Sequence, residues 1–111
     1  MLNEARINQL LDELDVALAI NDTAVRYAIE CGLEVEELEA NVLNAHAFTG
    51  KNAEARKLEG IALLADNPDV NEARHAKMEG DEALSKSRNR LELARTAVKL
   101  WIAFANQTAT R

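Results

Sequence analysis

Apolar residues recur at alternating steps of three and four along the first part of the chain. The positions are Ile7, Leu10, Leu14, Ala17, Asn21, Ala24, Ala28, Cys31, Val35, Leu38, Val42 and Ala45, and only Asn21 is plainly polar. No proline interrupts the run. A seam that repeats every ~3.5 residues marks a helix that pairs lengthwise with another helix. The pattern predicts a first helix over about 3–47. It reads through Asn21-Asp22-Thr23, because the seam keeps its phase there. A lone polar residue on an apolar seam fixes helix alignment at some cost in stability, so Asn21 is expected to set the register. Leu11, Leu18 and Val25 lie on one flank of the seam, and Ile20 and Tyr27 on the other. A stripe that wide calls for more than one partner helix. Gly32 lies off the seam and is a candidate bend.

Phe48-Thr49-Gly50-Lys51 should stop this helix, with Gly50 as a left-handed cap. Asn52 then offers an N-cap for a short helix over about 53–65, with Leu58, Ile61, Ala62 and Ala65 on one side. Asp66-Asn67-Pro68-Asp69 should end it. Proline cannot continue a helix, and Asp69 is placed to cap the next. A third helix is predicted over about 70–106. Its seam is Val70, Ala73, Lys77, Gly80, Leu84, Ser87, Leu91, Ala94, Val98, Trp101 and Ala105. The middle of that seam is small or polar. Toward its end the apolar surface broadens, as Leu93, Leu100, Ile102 and Phe104 join Trp101.

Two long helices joined by a compact connector predict an all-α fold. The expected form is a long antiparallel helical hairpin, a coiled coil with a short connector helix, in one domain spanning 1–111. Large should meet small across the seam. One alignment sets Val35 against Gly80, Cys31 against Leu84, Ala24 against Leu91, Ala17 against Val98 and Leu14 against Trp101. A shift of one heptad satisfies the pattern as well. In the alignment given, Lys77 faces Leu38, the poorest layer, tolerable if its ammonium reaches water. The free end of the hairpin gathers the surplus apolar surface, and the connector end is charged. Leu11, Leu18, Ile20, Leu93, Leu100 and Phe104 are therefore the expected interface of a homo-oligomer, a dimer or higher bundle.

One proline and four glycines in 111 residues argue against an all-β fold. The formal net charge is −6, and it is unevenly spread. Residues 1–50 are strongly acidic, whereas from Ala83 onward Lys86, Arg88, Arg90, Arg95, Lys99 and Arg111 face Glu92 alone. Two explanations stay open. The bases form a nucleic-acid face, or Arg74, Arg88 and Arg95 on one flank, with Lys86, Arg90 and Lys99 around the rest, neutralise Asp12, Asp15, Asp22 and Glu30 of the first helix. In the first case the outward Lys86, Arg90 and Lys99 are the candidates for contact with a single strand, with Trp101 either stacking a base or lying in the core. Cys31 is the single cysteine, so no internal disulfide forms. On the seam it reads as a small buried hydrophobe, which fits a cytoplasmic setting. No leader and no apolar run of membrane-spanning length is seen.

Catalytic signatures are weak. Gly50-Lys51 lacks the earlier glycine and the following hydroxyl of a phosphate loop. Glu72 and His75 have the spacing of a di-iron pair but face outward, and no second pair exists. Cys31 on a dry seam is a poor nucleophile. The expectation is a non-enzyme with no cofactor and no metal.

Lys51-Asn52-Ala53-Glu54-Ala55-Arg56, Asp66-Asn67-Pro68-Asp69, Leu91-Glu92-Leu93-Ala94-Arg95-Thr96 and Leu100-Trp101 with Ala105-Asn106 resemble small uncharacterised helical proteins of tailed bacteriophages. The similarity covers about 50–111. Those proteins are loosely similar to phage recombination mediators, helical oligomers that load a recombinase onto single-stranded DNA. The resemblance implies a non-catalytic accessory role in DNA recombination or replication, in the host cell cytoplasm, through a protein partner and with single-stranded DNA as a candidate ligand. The alternative is an acidic coiled-coil module, structural or inhibitory, that binds no DNA.

Overall fold

A computed structural model describes residues 4–109, with side chains described through residue 107. The protein is an all-α helical hairpin. Its elements are α1 (Glu4–Ala45), α2 (Ala53–Ala65) and α3 (Pro68–Ala109), with no strand among the described residues. Asn3, the first residue of the predicted helix, lies outside the described residues. α1 runs unbroken through Asn21-Asp22-Thr23. Two of those three side chains bond within the helix: the Thr23 hydroxyl donates to the Ala19 carbonyl at 3.1 Å, and Arg26 donates to Asp22 at 2.9 Å.

The connector corrects three expectations. Gly50 is not a left-handed cap, since no described residue has positive φ, and α1 has already ended at Ala45. What Gly50 supplies is close approach. A Cβ there would lie 2.7 Å from the Arg56 amide nitrogen and 2.9 Å from the Ala55 carbonyl carbon. The absence of a side chain lets the loop lie against the first turn of α2, where Arg56 Nε donates to the Gly50 carbonyl at 3.2 Å. Asn52 caps α2 as expected, its Oδ1 accepting from the Ala55 amide at 2.7 Å. The buried side of α2 is not the predicted one, however. Leu58, Ile61, Ala62 and Ala65 are exposed, and Gly60 and Leu64 are buried. The reason is Gly60, where a Cβ would stand 3.3 Å from Leu43 Cδ2 and 3.6 Å from the Phe48 ring. A glycine adds nothing to a hydrophobic pattern, yet it permits the nearest helix approach.

The start of α3 is the third correction. Pro68 is its first residue, where a missing N–H costs no helical bond and the fixed φ suits the helix. Asn67 is the cap, with Oδ1 accepting from the Val70 amide at 3.0 Å. Asp69 lies in the first turn, where a negative charge favours the helix end. Asn71 Nδ2 donates to the Ala65 carbonyl at 2.8 Å, which ties the α2–α3 corner.

The seams hold. Ile7 to Val42 on α1 and Val70 to Ala105 on α3 are buried or half-buried at every seam position, and Ala45 is exposed. The described chain divides into two compact units, residues 4–26 with 82–109 and residues 27–81. In the first, the free-end unit, the Ser87 hydroxyl donates to Asn21 Oδ1 at 3.0 Å and lies 2.8 Å from the Leu84 carbonyl. Polar meets polar on the seam. One turn along, the same alignment sets buried Ala17 against buried Leu91. In the second, the connector unit, a Cβ on Gly80 would lie 3.7 Å from Ala28 Cα, so Gly80 faces Ala28 and not Val35. Each unit therefore adopts the alignment one heptad away from the predicted pairing. Lys77 accordingly falls in the Cys31 layer rather than against Leu38. Its ammonium donates to Asp81 at 2.9 Å, and its stem passes Gly32. Gly32 leaves room for that stem.

In the connector unit Glu59 latches the loop. Its carboxylate accepts from the Thr49 amide at 3.0 Å and from the Thr49 hydroxyl at 2.7 Å. His46 Nε2 lies 3.8 Å away, and the His46 ring meets Phe48 edge-on at 4.9 Å. The Thr49 hydroxyl bond is the largest cause that holds the Glu59 carboxyl below its ordinary range. A depressed carboxyl favours the folded form above its unfolded value, and that contribution disappears as pH falls through the folded value. Protection of the Thr49 amide against hydrogen exchange, taken relative to the intrinsic rate at each pH, should therefore be high at neutral pH and fall at acidic pH. Glu59→Gln should abolish that pH dependence. Unchanged acid sensitivity in the variant would assign the effect to another group.

Candidate interaction surface

The residues of the expected oligomer interface all lie in the free-end unit, and all are exposed. They do not share one face. Leu11 and Leu18 each follow a seam residue, Leu10 and Ala17. Ile20 precedes one, Asn21, and so lies on the opposite flank. Leu93 and Leu100 lie with Ile20, as a groove of about 360 Å³ shows by its lining: Glu13, Arg90, Leu93, Ala94 and Ala97. Glu13 is one heptad before Ile20. Ala97 is one heptad before Phe104, and Leu93 is one heptad before Leu100. Val16, also exposed, completes that flank of α1. The other flank carries Leu11, Leu18 and half-buried Val25 on α1, with Ile102 on α3.

The basic residues do not form one track. Lys86 and Arg90 are a turn apart on the groove side, whereas Lys99 follows Arg90 by two and a half turns and points away. The expected neutralisation across the hairpin also takes another form. Arg74 pairs with Glu39 at 2.9 Å, Arg95 with Glu92 on its own helix at 3.1 Å, and Asp22 with Arg26 on its own helix at 2.9 Å. Neighbours three or four apart on one helix need no inter-helix alignment to meet, and such exposed pairs stabilise little. Trp101 is half-buried on the seam. His75 and Glu72 are exposed, and His75 pairs with Glu79 at 2.9 Å.

The connector end carries more than charge. Ile29, Leu33, Leu58, Ile61 and Met78 are exposed there, Leu58 and Ile61 because α2 turns Gly60 and Leu64 inward instead, and the other three because they lie off the seams. A second groove of about 290 Å³ is lined by Leu43, Phe48, Arg56, Lys57, Gly60, Ile61 and Leu64. Pattern reading missed it because its floor is a glycine. It also missed the His46, Thr49 and Glu59 cluster, since no periodicity relates residues across a loop. Cys31 is buried, as its seam position predicts. Among the described residues no group of three or more acidic, histidine or cysteine side chains could hold a metal ion, and no helix is long and apolar enough to cross a membrane. Comparison with protein-family models, with curated proteins and with solved structures finds no match to this chain.

Proposed function

We propose that this chain is a non-catalytic helical interaction module that associates with copies of itself and acts through a protein partner. The observation that carries the reading is the free-end unit. A hairpin of two helices buries one seam, and here large apolar side chains remain exposed on both flanks of that seam. Patches of this kind mark association surfaces. The chain's resemblance to phage proteins would place the module in phage DNA recombination or replication, as an accessory to a protein that handles DNA.

Direct contact with single-stranded DNA is the weaker reading. A strand needs a continuous basic track, and Lys86, Arg90 and Lys99 divide between two sides of α3. Sedimentation should therefore give a dimer or larger at micromolar concentration, and a filter-retention assay at low salt should hold no single-stranded DNA. A stable monomer would end the self-association reading. Retention that falls steeply with salt and is abolished by reversing Lys86, Arg90 and Lys99 to Glu would restore the DNA-binding one.

A further inference from the structure

Resting on the self-association reading, we propose that two copies join through the flank carrying Val16, Ile20, Leu93 and Leu100, with Glu13 of each copy paired to Arg90 of the other. Exposure separates the two flanks. The α1 members are alike, with Val16 and Ile20 at 48% and 39% against 43% and 41% for Leu11 and Leu18, but on α3 Leu93 and Leu100 are 72% and 66% exposed against 48% for Ile102. More apolar surface is therefore left in water on the Leu93 side, and covering it yields the larger gain.

Shape points the same way. Between Leu93 and Leu100 on α3 stands Ala97, and the groove at its base has a volume of about 360 Å³. A leucine ridge interrupted by an alanine hollow is self-complementary, because a two-fold axis sets the ridge of one copy into the hollow of the other. Charge completes the argument. Glu13 and Arg90 line the same groove. In a two-fold interface each contact occurs twice with partners exchanged, so a groove that offers both an acid and a base is complementary in charge to a second copy of itself. Gln9 donates to Glu13 at 3.3 Å and helps to place that carboxylate. On the opposite flank two of the charges, Asp22 and Arg95, are engaged within their own helices, by Arg26 and Glu92. The occupant that fits both the hollow and the charge pattern is a second copy of this chain. Arg90 is then covered in the assembly and takes no part in binding a nucleic acid.

The test uses the full chain in sedimentation equilibrium, with circular dichroism to confirm that each variant keeps its helices. Leu93→Asp with Leu100→Asp should weaken association by ~100-fold or more, as loss of central apolar anchors does. Leu11→Asp with Leu18→Asp should leave association within a few-fold of wild type. Glu13→Arg and Arg90→Glu should each weaken it, and the two together should restore it, which a general loss of packing would not do. If the wild type assembles and only the Leu11 and Leu18 changes disrupt it, the face assignment is overturned while self-association stands. If the single charge reversals weaken association and the swap fails to recover it, the Glu13–Arg90 pairing is overturned. A monomeric wild type overturns this proposal together with the reading beneath it.

Discussion

Gly80→Leu should destabilise the hairpin by about 3 kcal/mol, the upper end for overpacking a tight contact. That corresponds to a drop of about 15 °C in melting temperature for a domain of this size. Gly80 is buried in the connector unit. A Cβ there would stand 3.3 Å and 3.4 Å from the Tyr27 ring and 3.7 Å from Ala28 Cα. The Tyr27 ring is exposed and can swing aside. The Ala28 backbone cannot, so a branched side chain must push the helices apart along that stretch. Gly80→Ala makes the informative contrast. It adds one methyl group against a movable ring and gains helix propensity of about 1 kcal/mol. It should therefore be close to neutral or slightly stabilising. Thermal denaturation followed by circular dichroism reads both variants. A leucine variant as stable as wild type would mean that α1 and α3 do not approach closely at Gly80.

Leu91→Ala should cost about 3 kcal/mol, as for other buried leucines, and Ala17→Leu should recover most of the loss. Leu91 and Ala17 are both buried in the free-end unit. The Asn21–Ser87 bond sets them opposite one another one turn away. Truncating Leu91 leaves two alanines in one layer and an unfilled hollow. Transferring the leucine to the other helix refills the same layer, since total volume governs core tolerance. Ala24→Leu should not recover the loss, because in this alignment Ala24 already faces Leu84. The pairing expected from size alternation makes the opposite forecast, with Ala24 across from Leu91. Urea denaturation of the single and double variants decides between the two alignments. Rescue by Ala24→Leu would show that the helices pair one heptad away.

Why that alignment escaped the pattern is instructive. Large and small residues alternate on both seams at the same period, so sliding one helix by a heptad preserves nearly every favourable layer. What breaks the degeneracy is polarity. Asn21 was legible as a register element, but Ser87 read only as a small seam member. Pairing Asn21 with Ser87, the uncharged polar residue of the α3 seam, would have selected the observed register. The seams themselves were legible at every position but Ala45, because burial at steps of three and four repeats over many turns. The connector was legible in its helix bounds and its Asn52 cap, and illegible in its packing. Gly50 and Gly60 act there by close approach, which depends on what lies opposite. The latch of Glu59 on Thr49 depends on the path of the loop. Of the candidate interface, the exposed side chains were legible one by one. Their separation into two flanks follows from whether each precedes or follows a seam residue. The groove between Glu13, Arg90 and Ala97 required both helices at once.

The capped turn between α2 and α3 and the latch at Thr49 also set an order for assembly. The Thr49–Glu59 bonds close a separation of 10 residues, Arg74–Glu39 one of 35, and Ser87–Asn21 one of 66. Closing a loop costs entropy that rises by roughly 0.6 kcal/mol with each doubling of its length. The connector contacts therefore form at the lowest entropic cost, and each layer made there shortens the effective loop for the next. Loop entropy by itself thus favours closure from the middle of the chain outward, with the polar pair joining after the helices have begun to meet. On that order the Asn21–Ser87 bond is made late, where it tests the register. A hairpin closing one heptad out of register reaches that layer without the Asn21–Ser87 bond, and Ser87 keeps only the Leu84 carbonyl of its own helix.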